Sequence, residues 1–381
     1  MRNVNLILIS TLLLFSCSNV ENSELEEVTI DIDINLKLPL SEITDKISVI
    51  DLELTDESIV NQDQILKVLF LDSLVFIAES EKMLVFDMKG RFVRSIGSIG
   101  RGPGEYINIK SFTIDEKNRI IHITDLSTIV SYDLNGNFLK KFSISNSGGQ
   151  ILGFHYFNDE LLLLAEFIKD GQIEANKKIK RYSSVIYKMN DEMQFIDSCF
   201  IRDVYFETTF SIGLLKEYLT CNNSNVYLYF PENFSLGINF HPPLQWMGPI
   251  KRISRDTLYL FENNQLTPEL KLKFRKNGRN YNAGKYIGLS EIYRSSRYIF
   301  VEYGIGTDLG TYFYFCLDTE TGIGYNSKYR REDLYGEERK AMIIRPISNN
   351  TELFYYLRTH FNEDDLHNAP NPTLYIGRLK Q

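Results

Sequence analysis

The stretch Phe86-Asp87-Met88-Lys89-Gly90-Arg91-Phe92-Val93 returns 46 residues later as Tyr132-Asp133-Leu134-Asn135-Gly136-Asn137-Phe138-Leu139. Each copy reads as a strand ending in aromatic-Asp, a tight turn whose glycine supplies a positive φ, and the start of the next strand. The same spacing carries Ala78-Glu79 onto Thr124-Asp125, just after the apolar runs 74–77 and 120–123. The unit is therefore strand, acidic break, strand, turn, strand. A repeat of about 40–50 residues made of short strands and turns has the length of one blade of a β-propeller.

Away from these two copies the pattern loosens but persists. Segments 161–165 and 185–190 pair as one unit with a basic insertion between them, 226–230 and 257–261 as another, 298–303 and 312–315 as a third, and 353–357 with 374–376 as a last. Segment 48–52 reads as an early strand that completes the final blade, closing the ring and removing two sheet edges. Length alone fits six blades with long loops or seven at the 46-residue period. The longest stretches without strand grammar are 167–184, 233–253 and 275–296. Propellers keep strands for packing and let connections vary, so binding is expected in those loops.

Ahead of the repeats, Arg2 and the apolar run 6–15 form a secretory signal of residues 1–16, too short to span a bilayer. Leu14-Phe15-Ser16-Cys17 closes it as a lipobox, so Cys17 is expected to carry lipid and hold the chain to a membrane. The polar, acidic residues that follow read as a flexible tether, and residues 17–46 are expected to lead into a single domain at 47–381. The 23 Tyr and 25 Phe among 381 residues favour pleated sheet over helix. A net charge of −8 excludes a nucleic-acid partner, which needs a basic stripe.

One segment carries a family resemblance. Ile96-Gly97-Ser98-Ile99-Gly100-Arg101-Gly102-Pro103-Gly104-Glu105-Tyr106, placed after a Phe-Asp-x-x-Gly-x-Phe strand pair, resembles the Gly-Pro-Gly-Glu-Tyr signature of six-bladed β-propeller lipoproteins common in Bacteroides, relatives of NHL-repeat proteins. Asp256-Thr257-Leu258-Tyr259 followed by Leu266-Thr267-Pro268 resembles that family's strand and its Pro turn. The resemblance implies an all-β fold of six four-stranded antiparallel blades and an outer-membrane lipoprotein facing either the periplasm or the surface. It implies no catalytic residues. Gly100, Gly102, Pro103, Gly104, Glu105 and Tyr106 are expected to form a structural turn with at least one glycine at positive φ. The other reading is a Gly-rich anion nest.

No catalytic constellation, cofactor motif or metal-ligand spacing emerges. His122, His155, His241, His360 and His367 are scattered, and Asp125, Glu166 and Glu302 are three among fifty acids. Cys199, Cys221 and Cys316 allow at most one disulfide and read as buried apolar residues. The best-motivated surface is loop 239–247, which carries Trp246 and His241 between prolines, with Tyr281 and Tyr286 on a second loop. The expected function is a non-catalytic envelope module that binds a protein or glycan partner. The alternative is a propeller lyase or glycoside hydrolase.

Overall fold

The computed structural model describes residues 25–125, 127–144, 149–174, 177–207, 219–222, 225–229, 256–281, 287–305, 311–330, 343–358 and 370–381. Six four-stranded antiparallel blades form a propeller ring. Blade 1 is Ile65–Leu71, Leu74–Glu79, Met83–Asp87 and Phe92–Ser95; blade 2 is Ser111–Asp115, Ile120–Thr124, Thr128–Asp133 and Phe138–Ser143. Blade 3 is Gly149–Phe157, Glu160–Glu174, Lys177–Met189 and Phe195–Glu207; blade 4 is Leu219–Cys221, Val226–Leu228, Thr257–Glu262 and Gln265–Lys276. Blade 5 is Ile287–Arg294, Tyr298–Ile305, Thr311–Asp318 and Gly324–Arg330. Blade 6 is Arg345–Ile347, Asn350–Arg358 and Thr373–Arg378, completed on its outside by Ile47–Asp51. The early strand thus closes the ring. Helix among the described residues is limited to Leu40–Ile43 and a short 3-10 turn at Gln62–Gln64.

The repeated aromatic-Asp has a physical explanation. Asp87 Oδ1 accepts the backbone N–H of Lys89 and Arg91, and Asp133 Oδ1 accepts those of Asn135 and Asn137. Asp318 does the same for Glu320 and Thr321 in blade 5, and Asn190 for Gln194 in blade 3. The side chain satisfies turn donors that the ladder leaves over, which is why Asp or Asn recurs there. Gly90 and Gly136 sit at φ +82° and +85°. A Cβ on Gly90 would lie 1.9 Å from the carbonyl oxygen of Asp51, so this turn also needs the space to pass beneath the ring-closing strand.

Between neighbouring blades the apolar side chains form a wedge. Blades 6, 1 and 2 share a cluster that mixes aliphatic residues such as Val68, Ile77, Ile121 and Leu374 with Phe76, Phe86 and Phe112. The wedge between blades 5 and 6 is built instead from Tyr293, Tyr298, Tyr314, Tyr329, Phe300 and Phe354. Tyrosine hydroxyls there need partners: Tyr314 donates to Ile344 O at 2.9 Å and pairs with Tyr293 at 3.1 Å.

The ordered domain starts earlier than position 47. Glu26–Asp31 adds a strand parallel to the outermost strand of blade 4, burying Val28 and Ile30. Leu36 and Asn326 of blade 5 exchange both backbone hydrogen bonds, and the Asn326 amide donates to Asp31 O and Ile34 O. Ile43 is buried in the blade 5–6 wedge, and Glu53 N donates to Gly90 O of blade 1 at 2.8 Å. The segment expected to be a tether is from Glu26 onward a girdle over blades 4, 5, 6 and 1. Its alternation Val28-Thr29-Ile30-Asp31 is a half-buried strand pattern, hidden by the acids just before it.

Three further expectations change. Much of 167–184 is not a loop: the second and third strands of blade 3 continue as one hairpin through Glu174 and Lys177. Most of the described part of 275–296 is also strand, with Arg279–Tyr281 turning back on blade 4 over Asn277-Gly278. Pro268 makes no turn. The turn is Asn263-Asn264, both at positive φ, and Pro268 sits inside its strand beside a bulge at Glu269, where a missing N–H is tolerated.

Candidate functional site

The alternating strands send their connections to opposite ends of the ring. At one end lie the turns joining first to second and third to fourth strands, and none exceeds five residues. Asp72, Arg119, Asn158, Asp159, Met193, Asn263 and Asn264 take positive φ there. These turns also reach across the axis. Cys221 N of blade 4 donates to Ser348 O of blade 6 at 2.8 Å, and Asn349 Nδ2 of blade 6 donates to Glu116 Oε1 of blade 2 at 3.3 Å. Blades 2, 4 and 6 alternate round the ring, so this end is bridged. At the other end the connections include 96–110, 208–218, 229–256, 331–344 and 359–372.

At that long-connection end, the first strands of blades 5 and 6 bring together a charged group. Arg345 opens its strand with its side chain 53 % exposed, and its Nη1 lies 3.9 Å from Glu291 Oε2, whose side chain is 23 % exposed. Glu291 and Glu302 face each other across adjacent strands at a bulge, a like-charge pairing that Arg345 offsets. The hydroxyl of buried Tyr329 donates to Glu302 Oε1. Burial disfavours the charge on Arg345, but Glu291 and Glu302 more than compensate and hold it above its ordinary value. Burial and then the Glu302 carboxylate push the Tyr329 phenol far above its usual range, so it serves as a donor. Tyr355 is pushed up to about 12 by burial, against the pull of Arg345. The arrangement places a donor fork beside fixed carboxylate acceptors. It was invisible in the sequence because Arg345 lies in a three-residue strand with no repeat partner.

The Gly-Pro-Gly-Glu-Tyr segment lies between blades 1 and 2 and closes on itself. Gly100 N donates to Tyr106 O at 2.9 Å, and Gly102 N donates to Glu105 Oε2 at 2.7 Å. The carboxylate filling the Gly-rich turn is thus the chain's own. Tyr106 is buried, its phenol pushed up to about 12 by that burial, and its hydroxyl donates to Ile96 O. The hydroxyl of Tyr132 donates to Gly104 O and Lys141 Nζ to Glu105 O, which ties the segment to blade 2. None of Gly100, Gly102 and Gly104 has a positive φ, contrary to expectation. Their need is space: a Cβ would come 1.9 Å from Glu105 Oε2 at Gly100 and 3.0 Å from Phe138 Cβ at Gly104. Positive φ falls instead on Gly97, at +64°.

Other candidate residues are dispersed. Tyr281 ends the short hairpin of blade 4, with Lys276 Nζ 5.5 Å from its ring centroid. Trp246, His241 and Tyr286, like Cys17, His360 and His367, lie outside the described residues. His122 packs inside blade 2 against Phe154, bonded through Nδ1 to Ser131, with its pKa lowered to about 3 by burial. Asp125 caps the N–H groups of Ser127 and Thr128, and buried Glu166 meets Ser184 Oγ at 3.4 Å. Cys199, Cys221 and Cys316 are free thiols, buried in three different blades. Among the described residues no group of three or more His, Cys, Asp or Glu is placed to hold a metal.

A bridged end, long connections at the other and a girdled rim belong to a six-bladed β-propeller. It belongs to the family described as Domain of unknown function (DUF4934), whose signature matches residues 27–372. The crystal structure of a Bacteroides fragilis protein assigned as exported is similar over 93 % of this chain and 99 % of its own length, with a TM-score of 0.61 at 17 % identity. A DUF4221 member from Bacteroides vulgatus matches with a TM-score of 0.45 and 10 % identity, over 89 % of this chain and 98 % of that one. No curated protein matches the chain.

Proposed function

We propose that the chain is an envelope lipoprotein, held to the outer membrane by lipid on Cys17, whose propeller binds a partner at its long-connection end without turning it over. The observation that carries this reading is the segregation of connections: one end is closed by short turns bonded across the axis, and the chain spends its long segments on the other. Variable connections on a rigid ring are the usual place for binding residues. The signal-like run before Cys17 and the fold shared with an exported Bacteroides protein support the location.

The lipid is tested by labelling cells with a fatty-acid probe. Wild type should be tagged and Cys17→Ala should not; equal labelling refutes the anchor. Binding is tested with pull-downs and glycan arrays, beside a panel of hydrolase and lyase substrates. A second reading, a propeller enzyme, draws on one observation, the opposed Glu291 and Glu302 beside Arg345. Turnover abolished by Glu291→Gln or Glu302→Gln would establish that reading and displace the first.

A further inference from the structure

We infer that the chain ahead of Glu26 holds the propeller with its short-turn end towards a lipid surface and its long-connection end away from it, an inference that rests on the reading of Cys17 as the lipid anchor. The direction of the girdle strand carries it. Glu26–Asp31 runs parallel to Gln265–Lys276, the fourth strand of blade 4, with Glu26 opposite Leu270 and Asp31 opposite Arg275. Fourth strands leave the short turns and run towards the long connections, so the girdle strand does the same. Side chains agree with that direction. Glu26 Oε2 lies 2.6 Å from Nη1 of Arg294, the last residue of the first strand of blade 5, where that strand meets its short turn. Ile30 and Ile32 share an apolar cluster with Ile287, at the start of the same strand. The chain therefore enters the girdle from the short-turn side.

The entry point limits where the anchor can lie. Cys17 precedes Glu26 by nine residues. Nine residues span at most about 30 Å when fully extended. The partner of Glu26, Leu270, is five residues from the start of its strand at Gln265, so the short-turn end is about 17 Å away. A chain that keeps the direction of the girdle strand clears that end with about 13 Å to spare. A chain bound for the other end must first reverse, which takes about two to five residues. It must then run back about 20 Å to the level of Lys276, and the hairpin tip at Asn277-Gly278 stands beyond that. The two demands together exhaust nine residues. The short-turn end also suits a lipid surface, because carboxylates there are matched by arginine and do not add to repulsion from anionic headgroups. Arg91 lies 2.6 Å from Asp87, Arg119 2.8 Å from Asp72 and Arg297 2.7 Å from Asp318.

The experiment uses the full lipidated chain in vesicles of phosphatidylethanolamine and phosphatidylglycerol that carry an acceptor dye on a headgroup. Glu81→Cys and Lys89→Cys, both at exposed positions, place a donor dye at the long-connection and the short-turn end of blade 1, which lies across the ring from blade 4. Cys199, Cys221 and Cys316 are buried and leave the new thiol to react. Energy transfer from position 89 should exceed that from position 81 by at least about twofold, since the two ends of the blade lie about 20 Å apart. Inserting a Gly-Ser segment of about 20 residues after Ser23 should abolish the difference, because it adds roughly 25 Å of flexible reach. Higher transfer from position 81, or equal transfer from both, as an edge-on ring would give, overturns the inference and leaves the anchor in place. A difference that survives the insertion also overturns it, since something other than the short chain then sets the orientation. If the protein neither takes up a fatty-acid probe nor associates with vesicles, the anchor reading itself falls and the inference falls with it.

Discussion

The two ends of this propeller are built from the same six sheets and differ in nearly every local property. At the short-turn end, chain direction reverses within two to five residues, side-chain carboxylates of Asp87, Asp133 and Asp318 bind the turn N–H groups, and one backbone and one side-chain bond link alternate blades. At the long-connection end up to 28 residues separate consecutive described strands, between Leu228 and Thr257. The difference teaches that the contacts that fasten the ring lie apart from the end to which the proposed binding is assigned. The ring is fastened at the short turns, and the Arg345, Glu291 and Glu302 group is carried at the other end.

This contrast gives graded expectations. Gly90→Ala should be the most damaging, costing about 3 kcal/mol or more, since it combines a left-handed φ with a 1.9 Å approach to the backbone of the ring-closing strand. Gly322→Ala is its control: φ is +74° but nothing lies within 4 Å of the new Cβ, so about 1 kcal/mol is expected. Denaturant melts of the two variants compare space with conformation directly, and equal losses would show that the approach to Asp51 is immaterial.

Gly100→Ala, at the other end, should cost about 2 kcal/mol by forcing Glu105 off the Gly102 N–H. The clash is with a side chain, which can move. Adding Glu105→Ala should therefore make the two losses less than additive in a double-mutant cycle.

Acid should loosen the short-turn end first. Asp318 is lowered to about 2 by the Arg297 side chain and then the turn N–H groups, and Asp87 and Asp133 are lowered as well. For Asp87 burial alone would act the other way, and Arg91 outweighs it. A folded pKa below the unfolded value contributes stability that is complete above about pH 4 and is lost as pH falls towards 2. Hydrogen exchange at Glu320, Asn135 and Lys89 should accelerate across that window. Protection that stays flat from pH 5 to 2 would contradict the role given to these carboxylates. The smallest stability effect is expected from replacing 233–253 with a short Gly-Ser linker, within about 0.5 kcal/mol of wild type, because loop-closure entropy changes slowly with length. A large loss of stability there would mean that this connection belongs to the scaffold.

The comparison also explains what could be read from sequence. Aromatic-Asp-x-x-Gly is a local device, since Asp87 and Gly90 satisfy and bend their own turn, so the repeat appears in the residues themselves and fixes the blade. Segment 48–52 was legible because an unpaired last blade demands a partner. The girdle was not, because Glu26–Asp31 gains its partner from a strand about 240 residues away. Pro268 was misleading, as the sequence shows the proline but not the bulge beside it. The Arg345 group was illegible for a different reason: its members come from blades 5 and 6, and only ring geometry brings Glu291, Glu302, Tyr329 and Arg345 together.

The claim that recognition belongs to one end can be tested by blocking the ends in turn. Cys199, Cys221 and Cys316 are buried, so a cysteine placed on the surface of the unlipidated Cys17→Ala chain can be modified selectively. Exposed Asn280, on the blade 4 hairpin of the long-connection end, and exposed Lys89, on a short turn, are suitable positions. Each is changed to Cys, coupled to a bulky polyethylene glycol maleimide, and assayed on the glycan and peptide arrays. The account predicts that the adduct at position 280 suppresses binding while the adduct at position 89 leaves it intact. Binding that survives at 280 and disappears at 89 would place recognition at the bridged end and contradict it.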